Sequence, residues 1–97
     1  MGQRIEIDSR RVVDNSVIVT TNRSLTGADG EGYASAGQAS EGESFGAKLA
    51  TDLFESDDDV SRVYIASNVV IIARESRWSD ASTEAVSEVI SEFFLHY

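Results

Sequence analysis

The stretch VSRVYIASNVVIIA, residues 60–73, decides the fold of this 97-residue chain. In its first half Val63 and Ile65 fall on one face, which is the period-2 pattern of a strand with a buried side. Ser67–Asn68 supplies a tight turn, and Val69–Ala73 is a continuous apolar run, typical of a central strand covered on both faces. The pattern therefore predicts a β-hairpin at the centre of a sheet.

Two further strands are predicted upstream of this hairpin. Gln3–Asp8 alternates between polar and apolar residues, with Ile5 and Ile7 on one face, and predicts a first strand. Ser9–Asn15 is polar and turn-prone, and the β-branched segment Ser16–Thr21 predicts a second strand, antiparallel to the first.

Residues 24–39 differ from the rest in composition. Glycine and small polar residues dominate there, and too few apolar side chains are present to offset the entropy lost on ordering. We expect a Gly-rich surface loop over about 24–39, with room for a short strand around Tyr33.

Two amphipathic helices complete the prediction. Ser40–Glu43 fits the S-x-x-E capping box and predicts a helix start, and the acidic run Glu55–Asp59 ends that helix. Ser79 or Asp80 can cap the last helix. The apolar stripes, at helical spacing, are formed by Phe45, Leu49, Leu53 and Phe54 in the first helix and by Val86, Val89, Ile90, Phe93 and Tyr97 in the last.

The element order is then ββαββα. This order indicates an α+β fold in which two helices pack on one face of a mainly antiparallel sheet. A chain of 97 residues is long enough for a single hydrophobic core, so residues 1–97 are expected to form one domain.

The charge balance limits the partners. Seventeen Asp and Glu residues oppose eight Lys and Arg residues, for a net charge of -9. This charge repels nucleic-acid backbones and anionic lipid surfaces, so neither nucleic acid nor a membrane is an expected partner. The single Lys and the absence of Pro suggest a salt-adapted protein, although an ordinary acidic protein could have the same charge. No apolar run reaches the length of a membrane span, and the predicted location is cytoplasmic.

Residues that usually carry catalysis are scarce. The chain has no Cys, which excludes disulfides and thiolate-ligated metal centres, and its only imidazole belongs to His96, the penultimate residue. We therefore predict a non-enzymatic protein with no catalytic residues, no metal site and no cofactor.

The candidate site is an interaction surface. Tyr64 and Trp78 are large amphipathic side chains of the kind that anchor interfaces, although Trp78 could equally pack the end of the fourth strand against the last helix. The acidic turn, Asp57, Asp58 and Asp59, adds charge beside them. An alternative function is a binding module that holds a cation or small ligand at the acidic turn or at the Gly-rich loop.

Several short motifs follow one another in a recognisable order and spacing: Leu49–Ala50, Leu53–Phe54, Asp59–Val60, Val63–Tyr64, Asn68 to Ile72, Trp78 and the closing amphipathic helix. Together they make residues 3 to 97 resemble the N-terminal domain of the NifU-like (Nfu) iron–sulfur scaffold proteins. The sequence departs from that family at two places. The opening motif of the family contains two prolines, and Val12 and Asp14 stand near their places here. Asp59 stands where the family usually has Gly.

The resemblance implies an accessory role in iron–sulfur cluster assembly or delivery. Full-length family members hold the cluster with a C-x-x-C pair in a separate domain, and this sequence has no cysteine. The implied partner is therefore a cysteine-bearing iron–sulfur carrier or target, docked by a protein that does not bind the cluster itself.

Overall fold

The computed structural model of the protein describes residues 5–22 and 30–96. Its elements, in chain order, are the strands β1 (Ile7–Val13), β2 (Ser16–Thr21) and β3 (Glu31–Tyr33), the helices α1 (Ala36–Ser40) and α2 (Phe45–Ser56), the strands β4 (Val60–Ala66) and β5 (Val69–Arg74), and the helix α3 (Asp80–His96). The predicted α+β class is confirmed, and one short strand and one short helix are added to the predicted order between β2 and α2.

The strands form one antiparallel sheet in the order β1-β2-β5-β4-β3. The predicted β4–β5 hairpin is confirmed, and its turn residue Ser67 has a φ of 56°, in the left-handed region that tight hairpin turns use. β5 is the central strand. Its pairing with β2 joins two hairpins that are far apart in sequence.

The core lies between the sheet and its helices. We call the helix-covered side of the sheet the inner face and the opposite side the outer face. The main core residues are Val17 and Val19 of β2, Val63 and Ile65 of β4, Val70 and Ile72 of β5, Leu49 and Leu53 of α2, and Ile90 and Phe93 of α3.

Only one face of the central strand is covered in this way. Val70 and Ile72 are buried, but Val69 and Ile71, which alternate with them, are half-buried on the outer face. The prediction that this strand is covered on both faces is therefore wrong: α2 and α3 both contribute their apolar stripes to the inner side.

The first strand begins later than predicted. β1 is Ile7–Val13 and includes most of the segment expected to be a polar turn. It is an edge strand whose residues are mainly exposed, so hydrogen bonding to β2 rather than burial defines it. Ile5, before the strand, is fully buried, and Gln3 and Arg4 lie outside the described residues.

The Gly-rich segment is more ordered than a surface loop. The short strand suggested around Tyr33 is confirmed as β3, and residues 36–40 form α1, capped by the Ser35 hydroxyl, which accepts a hydrogen bond from the Gln38 amide. Ala39 is fully buried in the core. The loop prediction is wrong over this part, and residues 24–29 lie outside the described residues.

The start of α2 also differs from the prediction. Ser44, not Ser40, is the N-cap, and its Oγ accepts a hydrogen bond from the Ala47 amide at 3.1 Å. Leu49 is buried as predicted, whereas Phe45 is 52% exposed because it lies at the first turn, at the margin of the core.

α3 begins as predicted. The Ser79 hydroxyl accepts a hydrogen bond from the Ser82 amide at the start of the helix. Arg10 connects this helix to the edge strand, since its guanidinium donates to Ser87 Oγ at 2.8 Å and to Glu84 Oε1 at 2.5 Å. In the part of the chain that the structure describes, no helix is both long and apolar enough to cross a bilayer.

Candidate functional site

The acidic turn is joined to the end of β5 by an ion pair. Arg74 Nε donates to Asp57 Oδ2 at 2.8 Å, and its Nη2 lies 3.2 Å from Asp59 Oδ2. The side chains of Arg74 and Asp57 are only 12% and 16% exposed. Two of the three carboxylates are therefore neutralised by one largely buried guanidinium.

Trp78 belongs to the same cluster. Its ring packs against Arg74, with the guanidinium carbon 5.3 Å from the ring centroid, and its Nε1 donates to the Asn15 carbonyl at 2.8 Å. The Arg74 amide donates to that same carbonyl at 2.9 Å. We call Asp57, Asp59, Arg74 and Trp78 the Arg74 cluster, which fastens the β1–β2 turn to the end of β5 and the start of β4.

These contacts leave little for a cation to bind. The Arg74 guanidinium already donates a hydrogen bond to the Asp57 carboxylate, and the neighbouring Asp58 side chain is exposed. Among residues 5–22 and 30–96, no group of three or more His, Cys, Asp or Glu side chains has the geometry of a metal site.

Tyr64 lies away from this cluster. It is an outer-face residue of β4 and is 40% exposed, whereas Trp78 packs against the core. The structure therefore does not combine the acidic turn, Tyr64 and Trp78 into one surface: two of the turn carboxylates join Trp78, and Tyr64 belongs to a different surface.

That second surface is the outer face of the sheet. The strand register aligns Arg11, Ile18, Ile71 and Tyr64 in one row across four strands, and Val13, Ser16, Ala73 and Arg62 in the next row. Ile18, Ile71 and Val69 are half-buried, and Val13 is 42% exposed. The centre of this face is thus a partly exposed apolar patch.

Two glycines hold the Tyr64 ring at the margin of the patch. A Cβ atom on Gly30 would lie 2.5 Å from Tyr64 Oη, and one on Gly32 would lie 3.1 Å from Tyr64 Cδ2. Gly30 also has a φ of +76°, which side chains rarely tolerate. Gly30, which precedes β3, and Gly32 within β3 therefore allow the phenol ring to lie against the sheet edge.

The charge at the centre of the outer face is opposite in sign to the net charge of the protein. The two rows at the centre of this face contain Arg11 and Arg62 but no carboxylate, whereas the exposed Asp8 lies beyond them at the bulge of β1. Within the described residues neither arginine forms an ion pair, and both are exposed. Sequence reasoning missed this pair, because the alignment of β1 with β4 depends on the long-range pairing of β2 with β5.

The opposite side of the molecule is acidic. A groove of 630 Å³ lies between α2 and α3, with an apolar floor that includes Val89 and Phe93. Its acidic lining residues are Asp52 and Glu55 of α2 and Glu88 and Glu92 of α3. The two sides of the domain therefore differ strongly in charge.

Glu31 accepts two hydrogen bonds on the inner face of the sheet. The Tyr33 hydroxyl donates to Glu31 Oε1 at 2.6 Å, and the Ser44 hydroxyl donates to the same oxygen at 2.5 Å. Partial burial, followed by the hydrogen bond to Glu31, raises the pKa of Tyr33 above its ordinary value of 10.0. This contact joins β3 to the N-cap of α2 and is structural.

Comparison with known proteins supports the fold alone. No protein-family model matches the chain, and no curated protein matches it. A crystal structure of protein SAV1430 from Staphylococcus aureus is similar, with a TM-score of 0.59 and 16% sequence identity. The similarity covers 92% of this chain and 98% of that one, so the whole architecture is shared.

Proposed function

We propose that this protein is a non-enzymatic interaction domain that docks a protein partner on the outer face of its sheet. The observation that carries the proposal is the apolar patch around Ile18 and Ile71, which is only half-buried although it lies at the centre of the sheet. Burial of this apolar surface against a partner is favourable, because it removes the surface from water.

The residues bordering the patch support docking by a protein. Tyr64 offers a rigid ring and a hydroxyl at the margin, and tyrosine and arginine are enriched at the energetic centres of protein interfaces. Arg11 and Arg62 flank the apolar centre. An apolar centre with polar groups around it is the usual arrangement of a protein-binding surface.

The resemblance to the Nfu N-terminal domain supplies a candidate partner class. We propose a cysteine-bearing iron–sulfur carrier or target, with this protein acting as an accessory component in cluster assembly or delivery. The cluster would be held by the partner, since this chain has no cysteine.

An amide NMR titration tests the docking role. The labelled protein is titrated with a separately expressed C-x-x-C cluster domain from the same source, at molar KCl and at low salt, with folding checked at both. We expect saturable shifts at Ile18, Ile71 and Tyr64. A folded protein without shifts at either salt concentration would refute this pairing.

Two matched variants locate the surface. Tyr64→Ala removes an exposed ring from the outer face, and Phe45→Ala removes an exposed ring from the helical side. Docking on the outer face predicts weaker binding for Tyr64→Ala and unchanged binding for Phe45→Ala. The reverse pattern, or shifts confined to the Arg74 cluster, would place the interface elsewhere.

A further inference from the structure

The two arginines on the outer face indicate the chemistry of the partner. The chain carries 17 acidic residues, yet none lies in the two central rows of the outer face, and the exposed Asp8 lies beyond these rows at the bulge of β1. Arg11 and Arg62 are exposed there, and neither forms an ion pair within the described residues. The centre of this face is therefore positively charged in a strongly acidic protein.

Two other described arginines form ion pairs with carboxylates of the domain itself. Arg10, next to Arg11, turns to the inner face and pairs with Glu84 of α3, and Arg74 pairs with Asp57. Pairing within the domain thus uses the arginines that face the helices and the acidic turn. Among residues 5–22 and 30–96, Arg11 and Arg62 have no carboxylate partner, so both can bind a group outside the domain.

From these positions we propose that the outer face binds an acidic amphipathic helix of a partner protein. An apolar stripe would cover Ile18 and Ile71, and carboxylates beside that stripe would meet Arg11 and Arg62. This assignment rests on the proposed docking function and adds the chemistry of the partner to it.

Strand geometry gives the spacing of the carboxylates. Arg11 and Arg62 lie three strands apart and two residues out of register, so their Cα atoms are about 16 Å apart, given strand spacings of about 4.8 Å and about 3.3 Å per residue. Three turns of an α-helix span about the same distance. Carboxylates about three turns apart on one side of a helix can therefore reach both guanidinium groups.

Because the protein is strongly acidic, a preference for an acidic over a basic ligand would reveal the local charge of the binding surface. Non-specific attraction by a chain of charge -9 favours a basic ligand. At physiological ionic strength, charges further apart than about 8 Å are largely screened, whereas direct contacts persist. Preference for an acidic ligand can thus arise only from the local charge of the binding surface.

The experiment compares two synthetic helical peptides of about 18 residues, or about five turns. Both have the same stripe of leucines, and the positions beside the stripe hold Glu in one peptide and Lys in the other. Each is titrated into the labelled protein at physiological ionic strength. We expect the Glu peptide to bind more tightly and to shift the amides of Arg11, Ile18, Ile71 and Tyr64.

Two double variants of equal net charge identify the origin of the preference. Arg11→Gln with Arg62→Gln should weaken binding of the Glu peptide about tenfold, the effect of two partly exposed charge contacts. Lys48→Gln with Arg77→Gln removes two exposed cations from other parts of the protein and should leave the affinity unchanged. Equal losses in both double variants would overturn the proposal.

The remaining outcomes separate this inference from the proposed function. Equal binding of both peptides on the outer face would overturn the charge selection and leave the docking role standing, and a Lys preference or no outer-face shift would also overturn it. Sedimentation is measured without peptide. A dimer that is lost in the Arg11→Gln, Arg62→Gln variant would show that a second copy covers this face, and would also contradict an acidic helix as its occupant.

Discussion

The Arg74 cluster and the outer face use the same residue type for different purposes. Arg74 is 12% exposed and contacts two carboxylates, the Trp78 ring and the Arg77 carbonyl. Arg11 and Arg62 are exposed beside an apolar patch, without an ion pair among the described residues. The first arrangement stabilises the fold, and the second is suited to an external ligand.

The difference shows that charge alone does not identify a binding surface. The acidic turn is the most conspicuous charged feature of the sequence, yet Asp57 is largely buried by its pairing with Arg74. A charged group that is already paired gains little from a ligand, whereas an exposed unpaired group next to apolar surface can contribute to binding.

Removal of Arg74 should have the largest effect on stability. Arg74→Ala leaves the largely buried Asp57 carboxylate without its partner, and we expect a loss of about 2–3 kcal/mol in the free energy of unfolding, less than for a fully buried pair because Asp59 is partly exposed. Urea denaturation measures it. Arg77→Ala is the control, and similar stabilities for the two variants would show that the cluster is not structural.

Trp78 tests the same cluster with a smaller change. Trp78→Phe removes the hydrogen bond from Nε1 to the Asn15 carbonyl and weakens the packing on Arg74, which should cost about 1–2 kcal/mol of unfolding free energy. Partner affinity, measured under conditions where the variant is folded, should not change. Weaker binding at unchanged stability would instead make Trp78 an interface anchor.

Tyr33 gives a pH-dependent contribution. Tyr33→Phe should lower the free energy of unfolding by about 1 kcal/mol near pH 8, because the hydrogen bond to Glu31 is removed. Since the pKa of Tyr33 is raised on folding, its contribution is complete below about pH 10 and is lost as the pH rises through the folded-state value. The stability difference between parent and variant should therefore shrink in strongly alkaline solution.

Urea denaturation from about pH 8 to pH 11 follows this difference. Tyr64→Phe, which removes a phenol hydroxyl from the outer face, is the matched control. A difference that widened with rising pH for Tyr33→Phe would contradict the assigned role of its hydroxyl.

Much of the fold could be predicted from local patterns. The β4–β5 hairpin and the stripe containing Ile90 and Phe93 follow from side-chain periodicity, which depends only on neighbouring residues. β1 could not be bounded in this way, because an exposed edge strand is fixed by hydrogen bonds to β2 rather than by an apolar face. Ser40 was a plausible helix cap, but α1 ends there and Ser44 caps α2.

The candidate site could be predicted less well, for a related reason. The residue type predicts Tyr64 as an interface anchor, and the structure places it on the outer face, 40% exposed. Arg11 lies far from it in sequence, and only the β2–β5 pairing aligns the two in one row. Local periodicity gives the face of each strand but not the order of the strands, so the combined surface was not visible.

We propose that the Arg74 cluster stabilises the fold while the outer face binds a partner protein. The most direct test of this claim measures unfolding free energy and affinity for the Glu peptide together in two variants, Arg74→Ala and Arg11→Gln with Arg62→Gln. We predict that the first loses stability and keeps its affinity, and that the second keeps its stability within about 0.5 kcal/mol and loses affinity about tenfold. A second variant that lost stability, or bound as the parent does, would contradict the claim.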